Sequence, residues 1–364
     1  KRLHSVVEEI ASVNNPVDTT AMGNEETFAR ALSIVLDDEG VDAAIAIFVP
    51  PIYTDPNLVA AQISEVSADR QKTVLGCLMG TKGVAAGIRT LQQHKIPAFP
   101  FPESAVRALH AMIRYRRWLE REPGKIVTFQ VDREAVARIF ERTRDEGRDY
   151  LTDYDAITVF RAYGIPFVPS ILCRSEEEVV AAARKLGFPV VVKLSAPALI
   201  HKSDIGGVIV GISDEAQLRG ALRDLLDRTM RHKISGAAFI VQRMVPAGRE
   251  TILGVNNVPN FGPLIMFGLG GTHVEIFKDV AFGIAPLSDA DARELIRSIR
   301  SYPVLSGVRG EAGVCEEALV EALLRLSQLA ADFPEIAEID INPFLAFPQR
   351  EASMAVDGRI RLSS

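Results

Sequence analysis

Three clusters of residues in this chain have the types and spacing to do chemistry. The run Val190–Lys193 (VVVK) ends in a lysine. Its stem can pack along a sheet while the ammonium reaches a phosphate at the strand end, although a surface lysine has the same spelling. Eight residues on, in SAPALIHKSDIGG, stands His201, followed by the pair Gly206-Gly207. Neutral imidazole can attack phosphorus directly. Residue chemistry alone leaves His201 undecided between a phosphoryl carrier and a structural histidine. The second cluster is EIDINP, where a strand period of two puts Glu338, Asp340 and Asn342 on one face and Ile339 and Ile341 on the other. Asp357, in MAVDG, is expected on a partner strand. Carboxylate and amide oxygens converging in this way suit Mg²⁺, which takes a few oxygen ligands and completes its shell with substrate phosphates. The third cluster is the glycine-rich segment GPLIMFGLGGTHVEIFKD (Gly262–Asp279), with a similar short loop, GVRGE, offering Arg309. Glycines allow backbone N–H groups to approach a phosphate, but a turn in a sheet reads equally well.

Several chemistries are excluded by what the sequence lacks. There is no Walker A motif, and GLGGTH lacks the third glycine of a dinucleotide fingerprint. The six histidines share no zinc-ligand spacing, and no GxSxG elbow appears. Cys77, Cys173 and Cys315 form no CxxC pair, which reads as reduced thiols in a cytoplasm. A net charge of −6 without basic blocks argues against nucleic-acid binding. No apolar run has transmembrane length. The chain opens on Lys1 rather than Met, which reads as a fragment or a processed product.

The elements that position these residues fall into two patterns. In the first third, the apolar runs Val41–Pro51, Lys72–Gly80 and Lys95–Phe101 alternate with helical segments at Thr27–Leu36, Asn57–Val66 and Val84–His94. Such alternation predicts a parallel sheet, here an open flavodoxin-like one, with PPIYTD and GTKGV as candidate loops at the strand ends. An amphipathic helix, Pro102–Trp118, follows. From residue 150 onward many short strands mix with fewer helices, which predicts an α+β domain with a mostly antiparallel sheet. The expected fold is α/β, with a flavodoxin-like domain over 1–123, a linker and helix over 124–149, and a two-lobed α+β domain over 150–364, its lobes near 165–240 and 241–364.

KLSAPALIHKSDIGGV, FIVQRMVPAGRE, FGPLIMFGLGGTHVEIFKDVAF and FPEIAEIDINP together resemble the ATP-grasp part of the ADP-forming acyl-CoA synthetases, the acetate–CoA ligase (ADP-forming) family related to succinyl-CoA synthetase. NNPVDTT, VDAAIAIFVPP and IPAFPFPESAVRAL resemble that family's last flavodoxin-like CoA-ligase domain. The resemblance spans nearly the whole chain. It implies reversible conversion of acyl-CoA, ADP and phosphate to acid, CoA and ATP through a phosphohistidine. It also implies roles for individual residues: His201 as the relay histidine, Lys193 as the nucleotide-phosphate lysine, Gln242, Arg243, Met244 and Val245 as the hinge that meets adenine, and Glu250 just after it. Asn342 and Asp357 become Mg²⁺ ligands, with Asp340 beside them. The implied cofactors are ATP/ADP and Mg²⁺. CoA is implied through an upstream CoA-binding domain and a first flavodoxin-like domain, of the same protein or of a partner subunit, that these residues do not include. A homo-oligomer is among the assemblies implied by the family's large subunit contacts. The family often carries arginine where Gly283 stands, a departure that puts one phosphate contact in doubt. The alternative reading is the synthetase-like regulatory region of a protein lysine acetyltransferase.

Overall fold

Strand and helix alternate from the start. The computed structural model describes residues 1–51, 54–81, 83–196, 205–271, 279–308 and 310–363, which fall into two compact units, Lys1–Glu122 and Pro123–Ser364.

In the first unit, β1 (Ala43–Phe48), β2 (Thr73–Leu78) and β3 (Ala98–Phe99) form a parallel sheet in sequential order. The connections are α2 (Pro56–Ser67) and α3 (Val84–Gln93), with α1 (Glu25–Asp37) before β1 and α4 (Pro102–Glu120) after β3. Local chemistry sets the helix starts. The Asn24 side chain accepts from Thr27 N, and Asp55 accepts from Asn57 N ahead of a proline at the first helical position. Val59, Ala60 and Ile63 of α2 meet Leu91 of α3 and Val74 and Leu78 of β2 in one apolar core. The expected parallel α/β sheet is therefore present. Ile52, Tyr53 and Lys82, from the two candidate loops at its strand ends, lie outside the described residues.

The second unit has two antiparallel sheets. The smaller has the order β4-β7-β5-β6, from β4 (Ser170–Cys173), β5 (Val190–Ser195), β6 (Val208–Ile212) and β7 (Ala238–Arg243). Helices α7 (Glu176–Leu186) and α8 (Glu215–Arg231) cover one face, packing Val179, Ala183, Leu218 and Leu222 on Val190, Val192, Leu194 and Val241. The larger has the order β10-β9-β8-β11-β12, with β13 also paired to β11. Its strands are β8 (Arg249–Val258), β9 (Gly262–Leu269), β10 (Val280–Ile284), β11 (Ile336–Ala346), β12 (Met354–Ala355) and β13 (Gly358–Leu362). Its core takes residues from α5 (Arg133–Asp145), α6 (Asp153–Ala162), α9 (Asp289–Ser298), α10 (Tyr302–Ser306) and α11 (Glu316–Asp332). The charged segment before residue 150 thus supplies a packed helix, α5, through Val136, Ile139 and Phe140. Among the described residues no helix is long and apolar enough to cross a membrane, and all three cysteines carry free thiols.

Candidate functional site

Strand β5 is two-faced. Val190, Val192 and Leu194 enter the core under α7 and α8, so the strand period turns Lys193 and Ser195 to the opposite face. Lys193 is only 5% exposed. A buried ammonium needs partners, and Lys193 Nζ donates to Val356 O at 3.0 Å and to Asp357 Oδ1 at 3.2 Å. Both acceptors belong to the larger sheet.

That meeting point is a break in the β11 ladder. One edge of β11 pairs with β8, with a register shift between Ile341 and Phe344. The other edge pairs with β13 along Ile336–Ile341 and with β12 at Phe344 and Leu345. Between these two stretches, Asn342 N donates to Asp357 O at 3.2 Å and Val356 N to Pro343 O at 3.0 Å. Asn342 and Asp357 therefore face each other across the interruption. Asp357 was expected on a strand. It lies instead in the two-residue connection between β12 and β13, where the irregular backbone turns its carboxylate toward Lys193.

Asp340 sits two residues before Asn342, opposite Arg359 on β13 and Gly254 on β8. Burial pushes its carboxyl up. The Arg359 charge acts against that shift, while Glu338 and Asp357 add to it. Ile339 and Ile341 are in the core, as a period of two requires. Among the described residues no set of three His, Cys, Asp or Glu side chains forms a metal cluster. Asp340, Asp357 and the Asn342 amide form an oxygen-only donor set of the kind that Mg²⁺ accepts when phosphates complete its shell.

The end of β7 is pinned from both sides, with Arg243 N donating to Pro169 O and Met244 N to Pro189 O, each at 3.1 Å. Gln242 is 2% exposed; its Nε2 donates to Ser170 Oγ at 3.0 Å, and its Oε1 has no partner among the described residues. Arg243 and Met244 are exposed, and Val245 packs on the larger core. Glu250, exposed on β8, accepts from Gly270 N at 2.6 Å through its carbonyl. A Cβ at position 270 would stand 2.8 Å from the Glu250 backbone, so this approach requires glycine.

His201 lies in 197–204 and Thr272–Lys278 in the glycine-rich segment; both stretches, with Arg309, are outside the described residues. The base of the histidine segment is described. Leu194 N donates to Gly207 O at 2.7 Å, and the Arg228 guanidinium donates to the carbonyl of Gly206, whose φ of +65° is left-handed.

The structure thus brings Lys193, Asn342 and Asp357 together, places Asp340 along the same strand, and sets Gln242 beside Val356. Sequence reading missed Val356, whose carbonyl meets both Lys193 and the Gln242 amide. A main-chain acceptor leaves no trace in side-chain pattern.

The two antiparallel sheets and the buried lysine between them lie within residues 142–362, which match the family model described as "ATP-grasp domain". A 4-hydroxybutyrate–CoA ligase [ADP-forming] of Nitrosopumilus maritimus is 36% identical over 100% of this chain and 52% of its own length. The acetate–CoA ligase [ADP-forming] I subunit beta of Pyrococcus furiosus is 43% identical over 64% of this chain and 100% of its own. A solved structure of the Ca. Korarchaeum cryptofilum dinucleotide forming acetyl-coenzyme A synthetase 1, with coenzyme A and Mg-AMPPCP, matches with a TM-score of 0.56 and 38% identity over 63% of this chain and 100% of that one. In that structure a phosphohistidine segment points towards the nucleotide binding site. The chain belongs to the ADP-forming acetate/acyl–CoA ligase family and contains its ATP-grasp, beta-subunit part. It spans about half the length of the Nitrosopumilus relative.

Proposed function

We propose that this chain is the nucleotide-binding, phosphohistidine-forming part of an ADP-forming acyl-CoA synthetase. The observation that carries the reading is the contact of Lys193 with the β11 interruption. It sets one buried cation against the Val356 carbonyl and the Asp357 carboxylate, with Asn342 bonded to Asp357 through its backbone, an arrangement suited to holding a nucleotide polyphosphate with its metal. In this reading Lys193 neutralises nucleotide phosphate, the 242–245 strand end borders the base, and Glu250 lies beside the glycine-rich turn. Asp340, Asn342 and Asp357 would hold Mg²⁺, which supplies charge neutralisation on the phosphate oxygens. An imidazole nitrogen of His201 attacks the γ-phosphorus of ATP. The N–P bond forms, the P–O bond to ADP breaks, and ADP departs with the bridging oxygen. In the opposite direction the phosphohistidine phosphorylates ADP. CoA and the acyl group would be handled by domains outside these residues, in the same protein or a partner subunit. Domain limits near 123 and 150, with lobes meeting near 240, fit this division of labour.

The test is phosphorylation. With [γ-³²P]ATP and Mg²⁺ the chain should take up acid-labile, base-stable label, and His201→Ala should take up none. Acid-labile label that persists in His201→Ala overturns the assignment.

A further inference from the structure

A second cleft, of about 780 Å³, opens between α5, α6 and the end of the smaller sheet away from the 242–245 strand end. Its lining includes Arg138, Arg142, Arg148 and Arg174, against two acids, Glu146 and Asp155. Those acids are already engaged: Asp155 by Arg142, and Glu146 by Arg148, which also donates to Tyr150 O at 2.8 Å. Arg138 has only Glu134, 3.7 Å away and one turn back on its own helix, outside the lining. The Arg174 side chain has no hydrogen bond or ion pair among the described residues. Two guanidinium groups are therefore left without a neutralising acid in the cleft.

Ser195 is the second, independent observation. It lines the cleft and is 4% exposed, yet its hydroxyl makes no hydrogen bond among the described residues. The hydroxyl of Tyr154, also on the lining, has none either. The Ser195 and Tyr154 hydroxyls therefore open on the cleft with their donors free for a ligand, and beside surplus arginine charge they make it rich in donors and poor in acceptors. The ligand that complements such a lining is a compact oxyanion with several acceptor oxygens, which guanidinium groups grip in a two-pronged fashion.

We propose that this cleft binds a phosphate group, at a position separate from that of Lys193. Ser195 and Lys193 point to the same face of β5 two residues apart, so about 7 Å of strand separates them. Ser195 and Tyr154 donate hydroxyl hydrogen bonds, and Arg138 and Arg174 supply the charge. Orthophosphate and the terminal phosphate of a bound nucleotide share this chemistry. The proposal rests on the reading above only where ATP is used as the probe.

Calorimetric titration of the chain with orthophosphate, ADP and ATP, repeated on an Arg138→Ala/Arg174→Ala double variant, tests it. Both arginines are exposed, and thermal melts check that the variant is folded. The expected result is orthophosphate binding weakened at least tenfold by the double substitution, with ADP affinity kept within twofold. Ser195→Ala should weaken orthophosphate in the same direction. A loss of ATP but not ADP affinity, without orthophosphate binding, also supports the site and assigns its ligand to the nucleotide's terminal phosphate. Orthophosphate binding in a chain that binds no nucleotide keeps the cleft and fails the synthetase reading. Unchanged affinities for all three ligands in both variants overturn the proposal.

Discussion

Lys193 Nζ lies 3.2 Å from Asp357 Oδ1 across 164 positions of sequence. The lysine belongs to the smaller sheet and the aspartate to the interruption of the larger one, so this contact joins the two lobes at the proposed phosphate position. Its energetic role is local positioning. The Lys193 side chain is 7% exposed and the Asp357 side chain 28%, so water reaches the pair only from the aspartate side, and the lysine relies on this partner and on Val356 O.

The first prediction separates binding from folding at this contact. Lys193→Met removes a charged donor while keeping most of the buried stem. Affinity for ADP should fall about ten- to a hundredfold, the equivalent of one lost charge-assisted hydrogen bond. The melting temperature should move by only a few degrees. Calorimetry and a thermal melt on the same sample read both quantities. Unchanged ADP affinity in a folded variant would remove Lys193 from the site.

Metal dependence follows from the oxygen donors. ADP binding should be at least about tenfold weaker in EDTA than in millimolar Mg²⁺, because the metal neutralises phosphate charge that Lys193 alone leaves unbalanced. Asp357→Asn should flatten that dependence, giving similar affinities with and without Mg²⁺. A variant that responds to Mg²⁺ as fully as the parent would move the metal away from the interruption.

How far the sequence could anticipate this site depends on the range of the interactions involved. The period-two pattern of EIDINP correctly placed Ile339 and Ile341 in the core, because burial of alternate side chains is a local property of a strand. Lys193 on its strand was legible for the same reason. That Asp357 occupies a connection could not be read, since the break in the ladder depends on how β11 is shared between β12 and β13. The arginine cleft was invisible for a related reason. Arg138, Arg142, Arg148 and Arg174 come from a helix, a loop and a strand end, with no common spacing. The sequence reads 124–149 as a linker and helix, and nothing in its spacing shows that the helix, α5, packs beside the end of the smaller sheet.

A third prediction concerns that packing. Tyr163 is fully buried at the end of α6, and its hydroxyl donates to Asp332 Oδ2 at 2.7 Å. Burial, with the Asp332 carboxylate beside it, pushes the phenol pKa upward, so the group stays a donor at any working pH. Tyr163→Phe keeps the ring against Phe333 but leaves Asp332 without this donor. The expected loss is about 1–2 kcal/mol in urea unfolding. A loss below experimental error would show that water replaces the phenol there.

The last prediction is a pH dependence with a defined sign. Glu316 opens α11 and binds the end of α9: its carboxylate accepts from Arg297 Nη2 at 2.8 Å and from Tyr302 Oη at 2.8 Å, with Arg293 3.6 Å away. Burial raises its pKa, but the hydrogen bonds from Arg297 and Tyr302 and the charges of Arg297 and Arg293 outweigh burial, and the net shift is downward. A carboxylate with a folded pKa below its unfolded value binds fewer protons when folded. Its contribution to stability is therefore complete above the unfolded value, about pH 4.3 for glutamate, and disappears as pH falls through the lower folded value. Glu316→Gln, which cannot ionise, lacks that contribution throughout. The parent should exceed the variant by about 1–3 kcal/mol at pH 7, the range for hydrogen bonds to a charged group. The gap should close as the pH drops below about 4. Paired urea titrations at pH 7, 5 and 3.5 measure it. A gap of constant size across the three would mean that Glu316 holds α9 and α11 together by shape and not by charge.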